Sequence, residues 1–362
     1  MAISTIKSQV PCEGALIAAI RARARRSPGG LRRSAVALRL GIGDDCAIVR
    51  PAKGEEIVVT TDFTLEGVHF RRDWHPAESV GHRCLARGLS DLAAMGARPV
   101  AVFLSLAVPD ELLVKQRGKS WVERFLDGLL ALADEYKVPL AGGDTARAPE
   151  RDARWRKHAG LASFDVVLLG AVKRGRALLR SEAQAGDFIY VTGALGGAAA
   201  ELLALEHTPR RFAGLTKGVQ GHPHLYPEPR LAVAGKLAAA KRVHAAIDVS
   251  DGLSTDLGHI CEESGLAAEI DVGAIPVHPL AMRAERAGWV SSAMELALHG
   301  GEDYELLFTA PAAAKIPRTV AGVDLHRIGK MQPRRSRLPR MVLRDGAGRM
   351  TAIEPGGWEH FR

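Results

Sequence analysis

The sequence predicts an α/β protein of two domains, and three observations support this fold class. Segments typical of strands alternate with segments typical of helices along the whole chain, which indicates layered α/β (α+β) architecture. The chain has 362 residues, more than one hydrophobic core usually organises. Hydrophobic residues make up 47% and charged residues 25% of the sequence, so the chain can bury a large core.

The first predicted element is a helix over 13–26, because Leu16, Ile17 and Ile20 share one side and the breaker Ser27-Pro-Gly-Gly ends it. The later elements of the N-terminal half follow from the same kind of pattern. They are strands at 46–49, 57–60, 100–108 and 165–172 and helices at 75–95 and 110–136, with Asp110 as the cap of the last helix.

We place the domain boundary after the strand at 165–172, giving an N-terminal domain at 1–172 and a C-terminal domain at 173–362. The Arg-rich segment 147–157 has no periodicity and is predicted to be an exposed loop. The C-terminal half repeats the alternation. Its predicted elements are strands at 188–192, 245–248, 268–271 and 305–309 and helices at 198–205, 229–240 and 254–264.

Charge and cysteine content exclude several protein classes. Lys and Arg total 49 against 41 Asp and Glu, and this net charge of +8 suits phosphate-bearing ligands and nucleic acid alike. The four cysteines form no Cys-x-x-Cys pair, which argues against a disulfide framework or a zinc finger. An apolar signal core is missing from the first residues, and no charge-free run reaches the roughly 18 residues of a spanning helix. We therefore expect a soluble, cytoplasmic protein without a membrane partner.

The most informative pattern is a set of acidic clusters in which Asp stands beside Asp, Gly, Ser or Thr. Most of them adjoin apolar strand-like runs, where a carboxylate is costly to bury unless a cation compensates its charge. Mg²⁺, which prefers oxygen ligands, would do so, and several ions are typical of phosphoryl transfer. Taken singly, each Asp also suits a turn or a helix cap, as Asp251 does before the helix at 254–264. The clusters are Asp44-Asp45, Thr60-Thr61-Asp62, Ser90-Asp91, Gly142-Gly143-Asp144 and Asp248-Val249-Ser250-Asp251.

Common nucleotide and nucleophile motifs are missing from the sequence. Gly118-Lys-Ser lacks the first Gly of a P-loop, and Gly41-Ile-Gly lacks the third Gly of a dinucleotide fingerprint. The sequence has no Gly-x-Ser-x-Gly elbow for a nucleophilic Ser. The segment Gly193-Ala-Leu-Gly-Gly lies between a predicted strand and helix, where its amides could hold phosphate or its glycines could allow close packing.

Taken in order, these clusters resemble the motifs of the thiamine-monophosphate kinase family, from about residue 41 to the C-terminus. No single motif is specific, whereas the ordered set is. The motifs are Gly-Ile-Gly-Asp-Asp-Cys-Ala (41–47), Thr-Thr-Asp (60–62) with Glu-Gly-Val-His-Phe (66–70), Leu-Ser-Asp-Leu-Ala-Ala-Met-Gly-Ala (89–97), Gly-Gly-Asp-Thr (142–145), Ile-Asp-Val-Ser-Asp-Gly-Leu (247–253) and Gly-Gly-Glu-Asp-Tyr-Glu-Leu (300–306).

This resemblance implies two α/β domains of the aminoimidazole ribonucleotide synthetase type. The N-terminal mixed-sheet domain would form a homodimer, and ATP would bind in a cleft lined by both domains. The implied reaction is Mg²⁺-dependent, direct in-line transfer of the ATP γ-phosphoryl group to thiamine monophosphate, without a covalent nucleophile, as the last step of thiamine diphosphate biosynthesis.

The resemblance also assigns residue roles by motif position. The implied metal ligands are Asp45, Thr60, Thr61, Asp62, Asp91, Asp144, Asp248 and Asp251. The implied ATP contacts are Gly143, Asp144, Arg180 and Ser250, and the implied substrate contacts are His69, Glu302 and Trp358, with the indole of Trp358 stacked on the aminopyrimidine. The chain departs from the pattern at Ala146, where the family has Thr, and in a longer, Arg-rich loop at 147–157.

Two alternatives stay open from the sequence. One is another ATP-dependent enzyme of the same superfamily, such as a selenophosphate synthetase, a hydrogenase-maturation protein or aminoimidazole ribonucleotide synthetase. The other is a nucleic-acid-binding protein, suggested by the basic segment 21–33, although aromatic residues are only 5% of the chain and no base-stacking module is recognised.

Overall fold

The structure, a computed structural model, describes residues 11–26, 38–42, 46–116, 118–148, 160–212 and 221–359. These residues form two compact units. The first takes its described residues from 1–88, 99–171 and 208–220, and the second takes them from 89–98, 172–207 and 221–362. Residues 149–157 of the predicted loop and 27–33 of the basic segment lie outside the described residues, whereas Arg147, the first residue of the predicted loop, ends the strand Leu140–Arg147.

The first unit is built on a four-stranded mixed sheet in the order β3-β6-β4-β5, in which β4 and β5 run parallel. Helix α2 continues past this unit, since its residues from Leu89 onward belong with the second one. The elements are α1 (Glu13–Arg26), β1 (Leu38–Leu40), β2 (Ile48–Val49), β3 (Glu55–Leu65), α2 (Ala77–Ala94), β4 (Arg98–Val108), α3 (Trp121–Glu135), β5 (Leu140–Arg147) and β6 (Ser163–Lys173).

Helices α2 and α3 pack with their backbones in direct contact. A Cβ atom on Gly81 would lie 1.9 Å from the carbonyl oxygen of Phe125, and one on Gly128 would lie 1.8 Å from that of Glu78. Only glycine therefore permits this crossing. Under the helices, the rings of Phe125 and Phe164 stack with their centroids 4.1 Å apart, which anchors the helical layer on the sheet.

The predicted helix over 110–136 is wrong at its beginning. Asp110 lies in a separate 3₁₀ turn, Asp110–Leu112, and its carboxylate pairs with Arg147 at 2.8 Å. The helix α3 begins after Ser120, whose hydroxyl accepts the N–H of Glu123 at 3.1 Å, while the Glu123 carboxylate accepts the N–H of Ser120 at 2.7 Å. This reciprocal capping box determines where the helix begins.

The second unit is built on an eight-stranded sheet in the order β14-β13-β9-β12-β7-β10-β8, with β11 paired to β12. The strands pair antiparallel except β13 with β9, which are parallel. The elements are β7 (Phe188–Thr192), α4 (Gly197–His207), α5 (Leu231–Ala239), β8 (Ala246–Val249), α6 (Leu253–Glu263), β9 (Leu266–Asp271), α7 (Pro279–Arg286), α8 (Ala293–His299), β10 (Glu305–Ala310), β11 (Thr319–Val320), β12 (Val323–Pro333), β13 (Met341–Arg344) and β14 (Met350–Ala352).

Helices cover both faces of this sheet, so the α/β class predicted from the sequence is confirmed. On one face Ile247 and Leu307 pack with Leu257 of α6, all of them fully buried. On the other face Phe308 packs with Leu237 of α5. The strand β8 is therefore buried on both faces, and the turn that follows it begins at the edge of the hydrophobic core.

The longest strand of the second unit, β12, was missed in the sequence. Its buried residues are Leu325, Ile328 and Met331, every third position, because the register shifts between Arg327 and Gly329. This irregularity removes the two-residue alternation by which a strand is recognised. Among the described residues, no helix combines the length and apolarity needed to cross a bilayer.

We expect Ser120→Ala to lower the free energy of unfolding by about 1 kcal/mol, because it removes the side-chain cap of α3. Urea unfolding followed by tryptophan fluorescence measures the change, since Trp121 is the first residue of that helix. The matched control is Ser336→Ala, at an exposed position. Equal losses in the two variants would contradict the assigned cap.

Candidate functional site

In the first unit, Thr60, Thr61 and Asp62 lie within the strand β3, whereas the sequence suggested a turn. Alternation along the strand directs Thr60 and Asp62 toward α2. A Cβ atom on Gly88 of α2 would lie 3.5 Å from Thr60 Cγ2 and 3.6 Å from Asp62 Oδ2. Arg87 of the same helix approaches Asp62 Oδ1 with Nη2 at 3.4 Å. A half-buried carboxylate and a hydroxyl thus share one face of the strand.

Thr61 points to the opposite face of β3. Its hydroxyl donates to Asp165 Oδ1 of β6 at 3.1 Å. The sequence analysis did not select Asp165, because an Asp inside an apolar strand resembles an ordinary edge residue. The three consecutive residues 60–62 therefore divide between the two faces of the sheet.

Gly143 and Asp144 also lie in a strand, β5, where a turn was expected. Asp144 is exposed, stands opposite Ser105 of β4, and its Oδ1 accepts the N–H of Thr145 at 2.9 Å. Gly143 has φ +150°, and a Cβ atom there would lie 1.8 Å from the carbonyl oxygen of Leu104, so only glycine fits. Since β3 and β5 are the two edge strands of the sheet, Asp62 and Asp144 stand on opposite edges.

Of the two remaining candidates of the N-terminal half, Asp45 and His69, the structure describes only His69. Asp45 lies outside the described residues. His69 closes the turn after β3, where its Nδ1 accepts the N–H of Leu65 at 3.0 Å and its carbonyl oxygen accepts Arg83 Nη1 at 2.8 Å.

In the second unit, Asp248 lies buried near the end of β8. Burial, and then the negative charge of Asp91, raise the pKa of Asp248 to about 7, while the positive charge of Arg180 opposes the shift. Two carboxylates that repel each other in a buried position favour either a bound proton or a bound cation. The structure thus brings Asp91 and Asp248, 157 residues apart in the chain, into one electrostatic pair.

The turn after β8 is shaped by a residue that the sequence analysis missed, Asp256. Its Oδ2 accepts the N–H groups of Ser250, Asp251 and Gly252, each at 3.1 Å. Burial, with the charges of Asp248 and Asp251, raises the pKa of Asp256 well above its usual range. The proposal that Asp251 caps this helix is therefore wrong, because Gly252 occupies the cap position and Asp256 reaches back from the first turn. An acidic residue in the first turn of α6 was the available signal.

The segment 300–304 lies against this turn. The N–H of Glu302 donates to the carbonyl oxygen of Ser250 at 2.7 Å, and that of Tyr304 donates to Val249 at 2.8 Å. A Cβ atom on Gly301 would lie 2.6 Å from the carbonyl oxygen of Ser250, so the close approach requires glycine. Glu302 is consequently held beside Ser250 and Asp251.

Glu302 has a buried neighbour, His224, that the sequence did not reveal. Nδ1 of His224 lies 3.0 Å from Glu302 Oε2. The backbone around His224 is fixed by the buried carboxylate of Glu201, whose Oε2 accepts the N–H groups of His224 at 2.8 Å and Leu225 at 3.2 Å. His222 also contacts Glu201 Oε1 through its ring.

Trp358 reaches the same turn from the end of the chain. Its backbone N–H donates to the carbonyl oxygen of Asp251 at 3.1 Å, while 58% of the residue is exposed. The second unit therefore gathers most of its candidates around one turn. They are Asp91, Asp248, Ser250, Asp251, Glu302 and Trp358, with the charge of Arg180 felt at Asp248.

The carboxylates of this turn suit a hard divalent cation, whereas the imidazole of His259 does not. Asp251, Asp256 and His259 each place one ligand atom within 4.8 Å of the others. Asp256 already accepts three N–H groups, whereas the paired carboxylates of Asp91 and Asp248 carry excess negative charge in a buried position. Carboxylate oxygens of this kind are the protein ligands of Mg²⁺.

The glycine segment at 193–197 serves packing, the second of its two predicted roles. Asp303 is buried, and its carboxylate accepts the N–H groups of Gly196 at 2.6 Å and Ala198 at 3.1 Å, where a phosphate would bind. A Cβ atom on Gly193 would lie 2.1 Å from Glu305 Oε1. Burial raises the pKa of Asp303 to about 7, against the opposing effect of these N–H groups.

Two family models match the chain. The model of the AIR synthase related protein, N-terminal domain, matches residues 43–172, and that of the AIR synthase related protein, C-terminal domain, matches residues 184–338. Together they cover more than half of the sequence.

Relatives and solved structures agree with these matches. The thiamine-monophosphate kinase of Salmonella typhimurium (strain LT2) is 37% identical over 335 residues, covering 91% of this chain and 94% of the relative. The crystal structure of thiamine-monophosphate kinase from Stenotrophomonas maltophilia K279a has a TM-score of 0.72 at 37% identity and covers 92% of this chain and 96% of its own. AaThiL complexed with AMPPCP and TMP has a TM-score of 0.68 at 28% identity, covering 86% and 89%.

We expect Asp303→Asn to change how stability depends on pH. The folded pKa of about 7 exceeds the unfolded value near 4, so the folded chain retains a proton between these pH values that the unfolded chain releases. The contribution of the protonated Asp303 to the free energy of unfolding is therefore fully present below about pH 4, and it is lost as the pH rises through about 7. Asn does not titrate, so the wild-type advantage over the variant should shrink from pH 5 to 8, by at most about 1.4 kcal/mol per pH unit.

Urea unfolding at pH 5, 6, 7 and 8 measures this difference. Asp345→Asn is the control. Asp345 lies in a surface turn, and the N–H of Arg349 holds its pKa below the usual value, so it does not titrate in this window. A pH-independent difference between wild type and Asp303→Asn would contradict the assignment.

Proposed function

Since this chain belongs to the thiamine-monophosphate kinase family of AIR synthase related proteins, we propose that it phosphorylates thiamine monophosphate with ATP to give thiamine diphosphate. The reaction is a direct in-line transfer of the γ-phosphoryl group. The observation that carries the proposal is the turn after β8. There the buried Asp248 is repelled by the half-buried Asp91, and the backbone of Ser250 and Asp251 holds Glu302 and Trp358.

The acceptor explains why a site rich in carboxylates needs no strong base. The phosphate of thiamine monophosphate is already ionised, so the difficulty is to bring two anions together in the right geometry. Bound Mg²⁺ ions supply positive charge that offsets this repulsion. In the first unit the proposed ligands are Asp45, Thr60, Thr61, Asp62 and Asp144, and in the second unit they are Asp91, Asp248 and Asp251.

The remaining residues bind the two substrates. Arg180 is exposed and carries a fixed fork of N–H donors that suits phosphate oxygens. We assign ATP contacts to Gly143, Asp144, Arg180 and Ser250, and thiamine-phosphate contacts to His69, Glu302 and Trp358. Glu302 offers a negative charge beside Ser250, which suits the cationic thiazolium of the substrate.

The family relationship favours this kinase over the other enzymes of the superfamily. The basic segment gives little support to nucleic-acid binding, because Arg23 of α1 lies against α3, at 3.5 Å from Glu123 and 3.6 Å from Asp127. Arg23 thereby stabilises the first unit. We propose the cytoplasm as the location, where ATP is available.

We propose that the N-terminal domain, residues 1–172, also forms a homodimer, while residues 173–362 complete the binding of ATP and substrate. The support comes from β3, an edge strand with two apolar side chains facing solvent. Val59 is 61% and Phe63 60% exposed. Exposed apolar side chains on an edge strand are unfavourable unless a partner covers them.

The central test offers thiamine, thiamine monophosphate and hydroxymethylpyrimidine phosphate to the purified protein with ATP and MgCl₂. We expect thiamine diphosphate from thiamine monophosphate alone. Asp62→Asn, Asp144→Asn and Asp248→Asn should each lower turnover by at least roughly 100-fold, because each removes a charge that binds one of the cations. Asp248→Asn should not lower the free energy of unfolding, since it also removes a buried repulsion.

Asp73→Asn and Asp345→Asn are the matched controls in the first and second unit. Asp73 pairs only at the surface with Arg71, and Asp345 lies in an exposed turn with Arg349. Both should retain wild-type turnover. Unchanged turnover in the three test variants would refute the metal assignment.

Phe63→Glu should halve the molar mass measured by light scattering, because it places a charge on the apolar face of β3. Met350→Glu, at an exposed apolar position on β14, is the control and should leave the mass unchanged. A wild-type protein of monomeric mass would overturn the dimer proposal.

A further inference from the structure

The backbone of segment 356–358 is hydrogen-bonded to the first turn of α6 and to the turn that precedes this helix. Three consecutive backbone N–H groups of this segment each have an acceptor there. They are Gly356 to Ser254 Oγ at 3.3 Å, Gly357 to Thr255 Oγ1 at 3.1 Å, and Trp358 to the carbonyl oxygen of Asp251 at 3.1 Å.

Both glycines of the segment are required by the closeness of this contact. A Cβ atom on Gly357 would lie 1.8 Å from the carbonyl oxygen of Asp251, and one on Gly356 would lie 2.7 Å from His299 Nδ1. His299 in turn contacts Ser254, with Nδ1 2.8 Å from Oγ. The backbone of residues 356 and 357 therefore contacts Asp251 and His299 so closely that a residue with a Cβ atom would clash.

We propose that Thr255 is a positioning residue for substrate, because its hydroxyl holds the backbone that presents the indole of Trp358 beside Asp251. This inference rests on the proposed function. Trp358 is exposed, while its backbone N–H is held by Asp251. This arrangement leaves the indole ring available to stack on a heteroaromatic ring. A segment held in place before binding loses less conformational entropy when the ring stacks.

Asp251 connects this segment to the turn after β8. Its carbonyl oxygen accepts the backbone N–H of Trp358, whereas its own N–H donates to Asp256, so two different peptide groups of Asp251 make the two contacts. Because Asp256 holds the turn through bonds that do not involve the segment, loosening the segment should weaken the binding of thiamine monophosphate while the groups that bind ATP and the cation stay in place. The expected signature is a raised KM for thiamine monophosphate with kcat and the KM for ATP unchanged.

The test compares Thr255→Val, which removes the hydroxyl at constant shape, with Thr255→Ser, which keeps it. We expect Thr255→Val to raise the KM for thiamine monophosphate roughly three- to tenfold, the effect of one lost hydrogen bond, with kcat within about twofold of wild type. Thr255→Ser should resemble wild type. Thr319→Val, which removes an exposed hydroxyl bonded to Asp324, is the control for loss of a threonine hydroxyl elsewhere in the same unit.

Hydrogen–deuterium exchange without substrate supplies a readout that does not depend on catalysis. The amides of residues 356–358 should exchange faster in Thr255→Val than in Thr255→Ser. Gly357→Ala is a second variant, since the added Cβ atom forces the segment away from Asp251. It should show both the faster exchange and the raised KM, even if Thr255→Val folds poorly.

The outcomes separate this inference from the proposed function. Equal KM values and equal exchange in the Val and Ser variants would overturn the positioning role while leaving the kinase assignment intact. A fall in kcat at constant KM would also overturn it. A wild-type protein that does not phosphorylate thiamine monophosphate would refute the proposed function, whatever the exchange data show.

Discussion

The candidate site depends on one buried carboxylate, that of Asp256, which accepts three consecutive backbone N–H groups from the turn after β8. These bonds determine the path of the backbone from Ser250 to Gly252. That path in turn determines where Glu302 and Trp358 can donate their own N–H groups. Removing this one acceptor would leave three backbone donors unsatisfied, with that of Gly252 buried, which costs more than the bonds themselves contribute.

The same region concentrates negative charge that does not stabilise the fold. Burial and mutual repulsion raise the pKa of Asp248, and burial raises that of Asp303 even though two N–H groups stabilise its charge. Asp303 has a structural explanation, because it binds the amides at the beginning of α4. Asp248 keeps its repulsion with Asp91, which the positive charge of Arg180 only partly offsets. Repulsion retained in this way is typical of a functional site, since a bound cation turns it into attraction.

Glycine positions mark where the backbone must approach another chain segment. Gly143 lies against Leu104 in the first unit, and Gly357 lies against Asp251 in the second. In each case a Cβ atom would stand 1.8 Å from a carbonyl oxygen, so the residue type follows from contact rather than from turn preference alone. The sequence showed Gly143 beside Asp144 and suggested a turn there. For Gly143 the structure shows a strand with its neighbour in close contact.

The sequence by itself determined the α/β class, the order of the acidic motifs and the family, because alternation and local motif composition are properties of neighbouring residues. It could not reveal that Thr61 and Asp62 face opposite sides of β3, since the motif was taken for a turn and its strand extends beyond the predicted one. Nor could it reveal Asp256 as the organiser of the turn or His224 as the neighbour of Glu302. Those roles depend on which donors and acceptors the tertiary fold brings within hydrogen-bonding distance, and that information is distributed over residues far apart in the chain.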